Sequence, residues 1–142
     1  MESTTVPGAC LCGAVTFTIE LPALVCAHCH CTMCRRAHGA GYVTWVCVAK
    51  ERLRVTSGAD RLSKYASSNH GTRTFCGTCG SHLFFDSTHR ADQVDVVLAN
   101  LQGEIEVAPQ MHIYFDNRAT WVQVGDDLPR LGGVTGFEPL SV

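Results

Sequence analysis

Residues 9–19, ACLCGAVTFTI, decide how this chain is read. Val15, Phe17 and Ile19 alternate with small or polar neighbours, the period-two pattern of a half-buried strand. Two thiols, Cys10 and Cys12, stand just before that strand, and Gly13 follows them. Further along, 42–48 (YVTWVCV) is more uniformly apolar, as expected of a strand covered on both faces. Segments 53–56, 61–65, 72–75, 82–86, 93–99, 111–115 and 119–124 complete the expected strands, with turn signals such as Ser57-Gly58 and Gly132-Gly133 among them. Only 32–38 (TMCRRAH) reads as helix, one or two turns long before Gly39. Strands and helices do not alternate as they do around a parallel sheet. The expectation is an all-β chain with little helix. It is read as one domain over 1–142, with a core at 8–125 and a loosely packed, glycine-rich tail at 131–142.

Composition narrows the function classes. Hydrophobic residues make up 46% of the 142 residues and charged residues 17%, below the usual ~25%, which argues against disorder. A formal net charge of −2 supplies no basic field for nucleic acid or anionic lipid. No apolar run approaches the roughly 20 residues that span a bilayer. The start, MESTTVPG, has neither the basic opening nor the apolar run of a secretory leader, so a cytoplasmic setting is expected. Oligomeric state is not legible. In a reducing compartment clustered cysteines point to metal binding or catalysis before disulfides.

Seven of the nine cysteines fall into three groups. Cys10 and Cys12 form one pair, and Cys76 and Cys79, in FCGTCGSHLFF, form another. Together they offer four thiolates, enough for a closed tetrahedral zinc that would clip two distant parts of the chain. An iron–sulfur cluster, a redox pair at Cys76 and Cys79, and separate buried thiols are alternatives at this stage. The third group is the triplet Cys29, Cys31 and Cys34 in HCHCTMCRRAHGAGY, residues 28–42. Cys29 and Cys31 share a face if extended, and His30 then points away. Three protein ligands leave a tetrahedral metal one position for water or substrate, as at catalytic zinc. His28, His38 or Cys26 would instead close the site and make it structural.

An open metal among three thiolates is electron-rich. It is better suited to holding an incoming thiol as thiolate than to generating hydroxide. The substrate class is then a small thiol with an aldehyde presented to it. Arg35, Arg36 and Arg73 adjoin the cysteine groups and could receive carboxylates of a thiol peptide. Read alone, each is equally a solvated surface arginine. Cys47 reads as a buried small hydrophobe, and Cys26 has no firm assignment. His112 reads as a structural histidine, and Asp116 and Arg118 as turn or surface residues.

The combined pattern resembles the glutathione-dependent formaldehyde-activating family. The matching elements are CLCGAVTF (10–17), CHCTMCRRAHGA (29–40), LRVTSGADRLSKYASS (53–68) and TRTFCGTCGSHLFF (72–85), in the family order. The resemblance covers roughly residues 8 to 122. It implies a β-tent of two or three small antiparallel sheets, a structural zinc at Cys10, Cys12, Cys76 and Cys79, and a catalytic zinc at Cys29, Cys31 and Cys34. It further implies a carbon–sulfur lyase that forms S-hydroxymethylglutathione from glutathione and formaldehyde. Where many members carry Leu-Asp, this chain has Leu101-Gln102. The alternative expectation is a non-catalytic zinc module that binds a small thiol or a protein partner.

Overall fold

The computed structural model describes residues 4–140, which form two compact units. Residues up to Leu24 and from Val46 to Val107 make the first, and Val25–Trp45 with the chain from Ala108 onward make the second. Strands dominate, and one α-helix is present among the described residues.

In the first unit, β1 (Thr4–Ala9), β2 (Thr16–Leu21) and β5 (Leu53–Ser57) build a three-stranded sheet in the order β1-β2-β5. β1 and β2 pair antiparallel from Thr4↔Leu21 to Ala9↔Thr16. The alternation read at 15–19 holds: Val15, Phe17 and Ile19 are buried while Thr16 and Thr18 are only partly covered. β1 was not anticipated because TTVPGA carries a proline and a glycine. It lies at the edge of its sheet, where a missing N–H is tolerated.

A second group of strands in the same unit, β6 (Leu62–Ala66), β7 (Gly71–Cys76), β8 (His82–Ser87) and β9 (Gln93–Val97), follows the chain in simple antiparallel succession. Their apolar faces meet those of the first sheet. Phe17 and Phe84 pack edge to face with ring centroids 5.0 Å apart, the geometry that aromatic quadrupoles favour. Leu83 and Val96 are fully buried. The stretch expected as strand at 93–99 stops at Val97 and tightens into a 3-10 turn over Leu98–Asn100.

Gly58, between β5 and β6, has a left-handed backbone at φ 76°, and a Cβ there would land on the Ala14 carbonyl oxygen. Because the obstacle is backbone, it cannot swing aside as a side chain would. Gly58→Ala is expected to destabilise the protein by about 2 kcal/mol or more, combining the left-handed penalty with the clash. Denaturant unfolding checks this, and a loss below about 0.5 kcal/mol would contradict it.

The second unit begins with β3 (Val25–Cys29), turns into α1 (Thr32–His38) and re-enters the first unit along β4 (Val43–Ala49). The helix expected at 32–38 is present with those bounds. Cys31 is its N-cap, with Sγ accepting the Cys34 N–H at 3.2 Å, and Gly39 ends it. Arg35, Arg36 and His38 occupy its last turn, the end of the helix dipole that favours cations. β10 (Met111–Ile113) pairs with β3 in parallel, His112 opposite His28 and Ile113 opposite Cys29. This pair departs from the antiparallel expectation. Its strands are far apart in sequence, so no hairpin imposes the opposite direction.

The segment expected as strand at 119–124 is a turn, closed by Val122 N–H to the Ala119 carbonyl at 3.1 Å. Within 131–142, read as a loose tail, β11 (Leu131–Gly132) and β12 (Glu138–Pro139) form a short antiparallel ribbon.

Candidate metal centres and their surroundings

Cys10, Cys12, Cys76 and Cys79 converge within the first unit, all four sulfurs lying within 4.8 Å of one another. Each pair sits on a turn. Gly13 N–H reaches the Cys10 carbonyl at 3.1 Å, and Gly80 N–H reaches the Cys76 carbonyl at 2.8 Å. The two turns are tied together by the Leu11 N–H, which donates to Ser81 Oγ at 2.9 Å. Cys10 and Cys12 sulfurs are 3.6 Å apart, and those of Cys12 and Cys76 3.8 Å. A disulfide needs about 2.05 Å. Four sulfurs each about 2.3 Å from a tetrahedral zinc stand roughly 3.8 Å apart, so the spacing fits a metal and not a covalent bond.

The protonation chemistry divides the four thiols. Against the Ala14 backbone contact, which favours the thiolate, burial and the other three sulfurs push the Cys12 thiol up to about 11, as for crowded thiolates with no cation among them. The Ser81 hydroxyl and backbone N–H, with the Cys12 backbone, hold the Cys79 thiol down to about 5, a thiolate at neutral pH. Around Cys10, burial opposes ionisation, but the Val15 N–H at 3.3 Å and the neighbouring cysteines outweigh it, and its pKa is lowered. This group could hold zinc.

The triplet assembles at the corner between β3 and α1 in the second unit. Cys29 ends the strand, Cys31 caps the helix and Cys34 returns after one turn, and their sulfurs also lie within 4.8 Å of one another. Cys29 and Cys34 are buried and Cys31 is partly exposed, so the group opens on one side. The sulfurs of Cys31 and Cys34, and then burial, push the Cys29 thiol strongly up. Three thiolates this close repel one another unless a cation lies among them, and this donor set fits a soft metal such as zinc. Among the described residues no fourth Cys, His, Asp or Glu joins the group. His28 belongs to a different cluster, and the His38 ring packs edge to face on Trp45 with centroids 5.3 Å apart. Cys26 is buried, its thiol pushed up to about 11 by desolvation, and it lies outside the group.

Behind the triplet, sequence reasoning missed a polar chain. His30 and His112 are fully buried. His30 Nε2 lies 2.8 Å from His112 Nδ1, and His112 Nε2 is 3.0 Å from both carboxylate oxygens of Asp126. The carboxylate can only accept, so it assigns the proton to His112 Nε2, leaving Nδ1 to accept from His30. His30 thus points away from the thiols, as its alternation predicts. Asp126 accepts further from the Leu128 N–H at 2.9 Å. Burial would raise its pKa, but the His112 contact and that N–H win, and it is lowered. His112 is structural in this sense, an interior link between a carboxylate and His30. Asp126 carries no local motif, and only the folded chain brings it to the histidines.

Burial, with His112 and His28 close by, pushes the His30 pKa down to about 4. His28, which shares a hydrogen bond of 2.8 Å with Thr44 Oγ1, is lowered by burial and by His112. The unfolded chain therefore takes up these protons first, near the ordinary value of about 6.5. Stability contributed by neutral His30 is complete above ~6.5 and is lost as pH falls toward 4. About 1 kcal/mol of loss is expected between pH 7 and pH 5.5. Urea unfolding at the two pH values checks it, and His30→Gln should show a smaller loss than the wild type.

Other expectations meet mixed outcomes. Arg73 is buried in the first unit with its guanidinium 5.0 Å from the Phe85 ring centroid, so it is a core cation and not a receiver of substrate carboxylates. Cys47 is buried in β4, and Gln93 Oε1 accepts from its thiol at 3.4 Å, in keeping with a small interior residue. Arg118 stacks on Phe115, 4.6 Å from the ring centroid, and Asp116 accepts the Gly133 N–H at 3.0 Å, a turn contact. No helix among the described residues is long and apolar enough to cross a membrane.

Comparison with known proteins places the chain in a family. An uncharacterised lyase of Schizosaccharomyces pombe is 37% identical over 84 residues. That match takes in 58% of this chain and 58% of the yeast protein, so the chain spans little over half of that relative. A Halomonas elongata protein named for glutathione-dependent formaldehyde activation is 28% identical over 125 residues, covering 82% of this chain and 79% of that one. A crystal structure of a Rhodobacter sphaeroides protein superposes with a TM-score of 0.60 at 29% identity, over 70% of this chain and 91% of the other. Residues 5–117, most of the chain, match the family described as glutathione-dependent formaldehyde-activating enzyme. With both cysteine clusters and the strands that carry them inside the matched span, the chain belongs to the glutathione-dependent formaldehyde-activating family.

Proposed function

We propose that this protein is a zinc-dependent carbon–sulfur lyase that forms or cleaves adducts of a small thiol and an aldehyde, such as S-hydroxymethylglutathione from glutathione and formaldehyde. The observation that carries the reading is the triplet: three mutually close sulfurs, a partly exposed edge at Cys31, and no fourth donor among the described residues. The family and the names of the relatives support the reaction class. Two zinc ions per chain are proposed, a structural one at Cys10, Cys12, Cys76 and Cys79 and a catalytic one at Cys29, Cys31 and Cys34. Zinc at the triplet would keep one position for an incoming donor and would lower the pKa of a thiol placed there.

The reaction asks little else of the chain. A C–S bond forms between the thiol sulfur and the aldehyde carbon, the carbonyl π pair moves to oxygen, and the proton lost by sulfur ends on that oxygen as a hydroxyl. No electrons leave or enter. What the residues supply is placement. Cys34 is fixed by α1, Cys29 by its place on β3 opposite Ile113, and Cys31 by the cap hydrogen bond. The Asp126–His112–His30 chain holds the residue between Cys29 and Cys31 in the interior, so the two thiols face the same way. Free thiols of this kind suit a reducing, cytoplasmic setting.

Exchange NMR on glutathione and formaldehyde tests the reading, because the uncatalysed exchange supplies the baseline. Acceleration that disappears when Cys31 or Cys34 is replaced is expected. Glutathione binding without acceleration would instead favour a zinc module that only holds thiols.

A further inference from the structure

One face of α1 lines a cleft that the chemistry above does not use. Thr32, Arg35, Arg36 and Gly39 recur at i, i+3, i+4 and i+7, a single stripe along the helix. With Ala40 and Trp121 they enclose a cavity of about 300 Å³, at the lower end of small-molecule pockets. Each of the first two stripe residues directly follows a triplet cysteine, Thr32 after Cys31 and Arg35 after Cys34. The cleft and the thiols are thus neighbouring faces of the same two turns.

Four features bear on what this cleft could bind. Its lining carries two guanidinium groups and no carboxylate, in a chain whose formal net charge is −2. Among the described residues neither arginine forms an ion pair. Arg35 donates from Nη1 to the Asn117 carbonyl at 3.0 Å, while its Nε is buried with no hydrogen-bond partner. That contact fixes the side chain while spending one of its five donors on the protein. Trp121 is 69% exposed, a large apolar surface that folding has left uncovered at the rim of the cleft. Its position depends on Gly41, where a Cβ would stand 2.6 Å from Val122 Cγ2 and 3.2 Å from the Trp121 ring.

Resting on the function proposed above, we infer that this cleft binds the carboxylate end of an acid-bearing thiol peptide, with Arg35 and Arg36 as the grip and Trp121 as an apolar wall. The thiol end of the same molecule reaches the triplet. Specificity for glutathione over neutral thiols then comes from Arg35 and Arg36, the fourth and fifth residues of α1, and the cysteines contribute none of it. Arg36, more exposed than Arg35, is the specificity residue that can be changed at least cost to the fold.

Calorimetry with S-methylglutathione, whose sulfur is blocked, separates this inference from the reaction itself. Saturable binding is expected, weakened at least 10-fold in Arg36→Ala and in the diethyl ester of the same probe. Binding should also change the emission of Trp121 and lose that signal in Trp121→Phe, since the other tryptophan, Trp45, is buried. No binding of the blocked probe overturns the inference, as does equal affinity for acid and ester, or unchanged affinity in Arg36→Ala. Normal binding with no thiol–aldehyde turnover would leave the cleft assigned and overturn the proposed reaction alone.

Discussion

Replacing Cys76 by serine is expected to remove one metal equivalent per chain and lower the melting temperature by about 10 °C or more. Cys76 is wholly buried at the end of β7, and its sulfur stands 3.8 Å from that of Cys12, on a segment 64 positions away. A metal held there joins two turns that share few other links, the Leu11–Ser81 hydrogen bond being one. Structural zinc can contribute on the order of 10 kcal/mol to folding, and serine is a poor ligand for it. Even a third of that contribution shifts melting by about 10 °C in a chain of this size. Cys47→Ser provides the control. It makes the same buried thiol-to-hydroxyl change beside Gln93, outside any cysteine cluster, and should keep its metal and cost only about 1 kcal/mol. Metal analysis with thermal unfolding decides the matter, and equal behaviour of the two variants would refute the four-thiol site.

Cys31→Ser should have the opposite profile, with kcat/KM for the thiol–aldehyde reaction falling at least 100-fold while the fold persists. The reason lies in the double duty of this residue. Its sulfur belongs to the triplet, and the same sulfur accepts the Cys34 N–H at 3.2 Å as the N-cap of α1. A serine hydroxyl is among the best N-caps, so the helix keeps its start and the melting temperature should stay within about 3 °C. As a zinc ligand the hydroxyl is far weaker, and one metal equivalent should be lost. Unchanged exchange rates in a variant that has lost that metal would remove the triplet from catalysis.

These two variants differ because the sequence writes the two sites differently. Both are local motifs in part, Cys10 with Cys12 and Cys76 with Cys79, or three cysteines within six positions, and so each half was legible. The strand alternation at Val15, Phe17 and Ile19 was equally plain, since a period of two survives whatever packs on it. β1 and β3 were not legible. One is broken by Pro7, and the other, VCAHC, is too rich in sulfur and imidazole to show an apolar period. The turn at 119–124 looked like a strand because Trp121 and Val122 are apolar, yet Trp121 faces outward on the rim of a cleft.

By itself, then, the sequence determined the ligand chemistry, the all-β character and the short helix with its cap and stop, because each depends on residues within a few positions of one another. Only the tertiary structure decided that the two thiol pairs meet at metal-binding distances and that no described side chain completes the triplet. It also decided that Asp126 locks His112 against His30, and that Arg35, Arg36 and Trp121 share a cleft while Arg73 does not. Those outcomes depend on which distant segments pack together, and burial, charge and hydrogen bonding across such contacts leave no period or spacing in the chain to be read.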